Sequence, residues 1–171
     1  MIRTAVFGII SAMLLGLAGC GGGSSGSTEP PPPPPPPPPI GKAEAFQFLN
    51  QSTFGATEAA AANVIATRFP TWIENQQSTP ASLQLPHMLS LPPPQFMGQL
   101  HRDRVDIWFR NSLQGPDQLR QRVAFALSEI MVVSQLGALQ SRPFAVADYY
   151  DMLARNAFGN YRDLLEDVTL H

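Results

Sequence analysis

An unbroken run of ten prolines, Pro30 to Pro39, divides this chain before anything else in it can be read. Proline fixes φ and has no amide donor, so the run can join neither a helix interior nor a central strand. It forms an extended polyproline II rod of about 31 Å. Ahead of it, Gly21 to Glu29 is Gly, Ser and Thr with one acid, too little apolar surface to order itself. A disordered hinge followed by a stiff spacer reads as a tether over residues 20–41 that holds a domain clear of a surface. The other use of such a run is a docking strip for proline-reading modules. Those are mostly cytoplasmic, and the residues before the tether point outward.

Met1 to Cys20 reads as a bacterial export signal. Arg3 supplies the positive start, Ala5 to Leu17 is apolar apart from Ser11, and small Ala18 and Gly19 precede Cys20. Only 16 residues separate Arg3 from Cys20, short of the roughly 20 that a spanning helix needs. No basic cluster follows to hold a helix in a membrane. Residues 1–19 are therefore expected to be a signal peptide. Its ending, Leu17-Ala18-Gly19-Cys20, resembles the lipobox of bacterial lipoproteins. The resemblance implies a diacylglycerol on the Cys20 thiol, cleavage just before it, and acylation of the new amino group. Several acyl chains on one residue anchor stably where a single chain does not. Gly21 stands where an aspartate would signal inner-membrane retention. The expected location is the cell envelope, lipid-anchored, and the outer membrane if the host has two.

Composition narrows the chemistry. Cys20 is the only cysteine, which excludes an intrachain disulfide framework and a cysteine zinc cage. His87, His101 and His171 are too scattered to suggest a metal site. Eleven basic and 13 acidic residues leave a net charge of −2 and no nucleic-acid footprint. No cofactor is expected.

Beyond Lys42 the apolar residues recur at helical spacing and nowhere in sustained alternation. The pattern predicts an all-α fold, an irregular domain of about five to seven helices over residues 42–171. Ala43 to Asn50 carries Phe46 and Leu49 on one face, Thr57 suits an N-cap, and Pro70 opens a turn bearing Trp72 and Ile73. Residues 78–95 read as proline-studded loop. His101 to Leu113 turns Val105, Trp108 and Phe109 inward and sets Asp106 and Arg110 four apart as a solvated pair. Val146, Tyr149, Leu153 and Ala157 form a stripe closed by Gly159. Asn160 caps a last helix with Tyr161, Leu164, Leu165 and Val168 inward.

The segment from Pro116 to Val133 is the unusual one. At about 100° per residue, Leu119, Val123, Ala126, Leu127, Ile130 and Met131 make a wide apolar arc. Phe125 and Val132 are apolar on the far side, which predicts a buried helix. Arg120 nevertheless lies within the arc, with Arg122 and Glu129 at its edge. Buried charges cost several kcal/mol unless paired, so these three form a candidate buried ion-pair network. Acceptors for Arg120 could come from the neighbourhood of Glu129, Asp148, Asp151 or helix C-terminal carbonyls. The network either fixes helix docking or belongs to a site completed beyond His171.

Three segments are recognisable together: Phe48-Leu-Asn-Gln-Ser-Thr-Phe-Gly55, Leu119-Arg-Gln-Arg-Val-Ala-Phe-Ala-Leu-Ser-Glu129, and Ala157-Phe-Gly-Asn-Tyr-Arg-Asp-Leu-Leu165. In this order they resemble the N-terminal region of the bacterial family called domain of unknown function 1800, over almost all of residues 43–171. The resemblance implies a mainly helical, frequently exported protein, and no agreed activity or catalytic residue. Members continue with Pro-Ala-Met-Gly after the position of His171, so the helical domain is expected to be the incomplete N-terminal part of a larger one.

No catalytic motif survives inspection. His101-Arg-Asp103 copies the start of a kinase catalytic loop without its asparagine or a glycine-rich loop, and there is no Walker loop or His-Glu-x-x-His pair. No catalytic residue is expected in this chain. The expected function is a membrane-anchored exported lipoprotein serving as a binding or scaffold module. Its partners are the membrane, through the lipid, and a protein or the rest of the family fold. The alternative is the N-terminal part of an exported enzyme, a hydrolase for instance, with its active site mostly beyond residue 171.

Overall fold

Side-chain caps and prolines set where the helices start. Thr57 Oγ1 accepts from the Ala60 amide at 3.1 Å and Asn160 Oδ1 from the Arg162 amide at 2.8 Å, each satisfying a donor that has no partner within its own helix. Pro70, Pro86 and Pro143 stand in first turns, where a missing amide costs nothing. The computed structural model describes residues 34–171 apart from residue 97. The expected signal 1–19, Cys20 and the Gly/Ser part of the tether lie outside the described residues. The chain divides into Met1–Pro36 and Pro37–His171, and every described helix belongs to the second unit.

These helices are α1 Lys42–Ser52, α2 Glu58–Thr67, α3 Phe69–Ser78, α4 Leu85–Leu89, α5 Gln99–Gln114, α6 Gln118–Ile130, α7 Pro143–Arg155 and α8 Tyr161–Leu170, with a 3₁₀ turn at Gly137–Leu139. The fold is all-α among the described residues. Among the described residues, eight helices exceed the expected number because α4 forms inside the segment read as loop. Packing also begins ahead of Lys42: Ile40 lies against the first core cluster, and Arg68 Nη2 donates to the Pro38 carbonyl at 2.9 Å.

Apolar burial falls into three clusters. Ala45, Leu49, Ala61, Val64 and Trp72 join α1, α2 and α3. Tyr149, Met152, Leu153 and Leu164 join α7 to α8, with Leu127 and Met131 of α6 against them. Met88, Ile107 and Ala147 join α4, α5 and α7. Helix α6 runs between the first two clusters, giving Leu119 to one and Leu127 and Met131 to the other. Its buried line is instead Gln121 and Ala124, continuing from Asp117 just before the helix. Ile130 is 67 % exposed and Val132 73 %. The expectation of a helix buried all round is thus corrected: its apolar arc is divided between two clusters, and its middle faces polar groups. Helix α5 departs similarly. It buries Arg104, Ile107, Asn111 and Ser112, while Phe109 is 52 % exposed. Asp106 and Arg110 form no ion pair; Arg110 Nη1 donates to His87 Nε2 at 3.2 Å.

The polar groups that α6 faces belong to the segment between α3 and α4. Ser82 is held on every side. Its amide and hydroxyl donate to the Asp117 carboxylate at 2.8 and 2.6 Å, and its carbonyl accepts from Asn111 Nδ2 at 3.1 Å and Gln121 Nε2 at 3.0 Å. Gln121 Nε2 also donates to Asp117 Oδ2 at 2.9 Å. Gly115 closes on the same group. A Cβ there would press into the Asn111 carbonyl and stand 3.0 Å from Asp117 Oδ1 and 3.1 Å from Ser82 Oγ. Two residues on, the buried Asp151 accepts from the amides of Gln84 and Leu85 at 2.7 and 2.8 Å. An irregular segment can be buried only if its backbone is satisfied, and three helices supply the partners.

Candidate functional site

Helix spacing gathers one opening. Arg104 and Trp108 are four apart on α5, as are Val105 and Phe109, and Phe125 and Glu129 are four apart on α6, so each set shares a face. These six residues, with Ser128 of α6 and Tyr150 of α7, line a cavity of about 240 Å³. Its wall is aromatic. Trp108 meets Phe109 edge to face at 4.8 Å between ring centres, Phe125 lies 5.8 Å from Trp108, and Phe54 meets the Trp108 and Phe125 rings edge to face at 5.7 and 5.8 Å.

Arg104 is the unusual member. It is 7 % exposed, and its guanidinium sits 5.1 Å from the centre of the Tyr150 ring. Nη2 donates to Gln135 Oε1 at 3.0 Å, while the buried Nε–H has no acceptor among the described residues. Burial lowers its pKa, and the Tyr150 hydroxyl works in the opposite direction. Arginine stays charged even so. Glu129 faces the same cavity and is exposed, yet the ion pairs among the described residues are Lys42–Glu58, Arg155–Asp148 and His171–Asp148. A buried cation and a carboxylate therefore share one aromatic opening without pairing.

The residues singled out as an ion-pair network are not brought together. Arg120 donates to three carbonyls instead: Ala154 at 3.2 Å, Gln77 at 3.0 Å and Thr79 at 3.2 Å. Gln77 and Ala154 lie in the last turns of α3 and α7, and Thr79 follows α3, so the guanidinium sits where carbonyls lack helical partners and the helix dipole favours a cation. Its other face lies 4.7 Å from the Phe158 ring centre. Arg122 stacks over Phe54 at 5.3 Å, and Glu129 stands at the cavity. Helix C-terminal carbonyls, one of the acceptor types expected for Arg120, are the ones it uses. The missed residue is Arg104. The argument that exposed Arg120 in an apolar arc applies equally to a charge one turn from Trp108.

Asp151 offers a carboxyl of unusual affinity for its proton. Burial raises its pKa, ahead of the lowering by the Gln84 and Leu85 amides and by Arg155; Asp148 pushes the same way as burial. Both its oxygens are occupied by backbone amides, which makes it a fastener for α4. No curated protein and no solved structure matches the chain. A family model does match it over residues 47–171, and on that match the chain belongs to the family described as Protein of unknown function (DUF1800).

Proposed function

We propose that this chain is an exported, lipid-anchored binding module of the cell envelope, acylated at Cys20 and presenting the cavity between α5, α6 and α7 to a small ligand. The observation that carries the binding half is the buried Arg104 sharing an aromatic cavity with an unpaired Glu129. A charge kept from water without a counter-ion is costly, and a ligand that supplies one recovers that cost. The anchoring half is supported by Leu17-Ala18-Gly19-Cys20, with the polyproline spacer behind it. In a two-membrane host the outer membrane is the site of attachment. The membrane is then one partner, through the lipid, and the ligand the other.

Each half has its own test. Wild-type chain should fractionate with membranes and the Cys20→Ser variant should not; a wild type free of membranes refutes the anchor. For binding, small molecules extracted from the envelope should raise the melting temperature of the full chain. They should not do so for Ser128→Trp, which fills the cavity from α6. Equal behaviour of the two proteins refutes the cavity as a binding site.

A further inference from the structure

Charge balance and size narrow the ligand class, an inference that rests on the binding reading above. The cavity of about 240 Å³ is below the roughly 300–1,000 Å³ typical of sites for drug-sized molecules, so its occupant is small. Trp108, Phe109, Phe125 and Tyr150 ask for an apolar or aromatic body. Arg104 asks for an anion, and its planar, delocalised cation matches the two-oxygen edge of a carboxylate, as it does that of a phosphate. A simple anion would meet Glu129 at the same opening, and a simple cation would meet Arg104. A molecule carrying both charges meets neither penalty.

We propose that the cavity binds a small zwitterion, an α-amino acid with an apolar or aromatic side chain, its carboxylate on Arg104 and its ammonium on Glu129. The polarity follows from charge: the buried Arg104 takes the carboxylate and the exposed Glu129 the ammonium, two groups that an α-amino acid carries on one carbon. The only acceptor that Arg104 has among the described residues is Gln135 Oε1, from an exposed residue beyond α6, which the ligand carboxylate displaces or joins. Aromatic side chains gain most, because edge-to-face packing with Trp108 or Phe125 extends a cluster in which Phe54 already meets both rings that way. The same chemistry is presented by a free amino acid and by a short peptide with both ends unblocked, which differ in the separation of their charges.

The experiment is a titration of the full chain, solubilised in detergent, followed by Trp108 fluorescence. L-phenylalanine and the dipeptide glycyl-phenylalanine are the two probes, and binding by either supports the zwitterion. The first alone identifies a free amino acid, the second alone a short peptide. N-acetyl-phenylalanine, which lacks the ammonium, and phenylalanine methyl ester, which lacks the carboxylate, should each bind at least about tenfold more weakly. Glu129→Gln should abolish discrimination against the acetylated probe, and Arg104→Lys should weaken both zwitterions. Glu129 is exposed, so its variant keeps the test decisive even if Arg104 variants misfold. If neither probe binds, or if blocking either end leaves affinity unchanged, the ligand class is refuted. A stabilising effect of the envelope extract on wild type, but not on Ser128→Trp, would then still uphold binding by the cavity itself.

Discussion

Removing Asp117 tests whether the polar group around Ser82 holds this domain together. The side chain is fully buried, and its oxygens receive three donors: the Ser82 amide, the Ser82 hydroxyl and Gln121 Nε2. Hydrogen bonds to a charged acceptor contribute about 1.5–3 kcal/mol each. Asp117→Ala leaves three donors without an acceptor. Ser82 is only half-buried, so water reaches part of the gap and the lower end of that range applies. The expected loss is about 3–5 kcal/mol, a large part of the 5–15 kcal/mol that holds an ordinary domain. Asp117→Asn should behave differently. Its carbonyl can replace Oδ2 and keep the Ser82 amide and Gln121, and its amide can donate to the Ser82 hydroxyl, which then accepts. What remains is the loss of a negative charge at the start of α6 and of charge-assisted bonding, about 1–2 kcal/mol. Urea unfolding followed by circular dichroism gives both values from the midpoint and slope. Equal losses for the two variants, or a loss below about 1 kcal/mol for Asp117→Ala, would refute the reasoning, because either means that the Ser82 contacts contribute little.

The other expectations can be read in the same assay. Arg120→Met should cost about 2–3 kcal/mol, since three carbonyls lose a charged donor and two of those bonds are partly buried. Arg120→Ala should cost about 1 kcal/mol more through lost packing on Phe158; a methionine variant as stable as wild type would show that water replaces the guanidinium freely. Gly115→Ala should destabilise by about 1–3 kcal/mol by overpacking, because the atoms that its Cβ would press include the Asn111 backbone carbonyl, which cannot swing away. Asp151 sets a pH dependence. Its folded pKa lies above the unfolded one, so its contribution is fully present below the unfolded value and is lost as pH rises through the folded value. Asp151→Asn should remove that segment of the stability–pH curve, and an unchanged curve would mean that Asp151 titrates normally.

Local signals carried the helices, and long-range ones decided their faces. Thr57, Pro70 and Asn160 act through neighbours within a few residues, so their roles were legible from composition and spacing alone. The faces of α5 and α6 were not. Hydropathy assigns the inward side of a helix by its apolar residues, which presumes an apolar partner. Here the partner is the backbone of residues 77–85, and a buried backbone calls for amide and carboxylate side chains. Asn111, Asp117 and Gln121 answer that demand and so occupy the inward positions that an apolar pattern would have reserved for valine or leucine. The cost of this inversion falls on the apolar residues it displaces. Trp108 and Phe109 are left half-buried or exposed around Arg104, and Ile130 and Val132 are exposed at the end of α6. The aromatic cavity is therefore a consequence of the polar interior. A sequence in which α5 buried Trp108 and Phe109 completely would leave no opening beside Arg104.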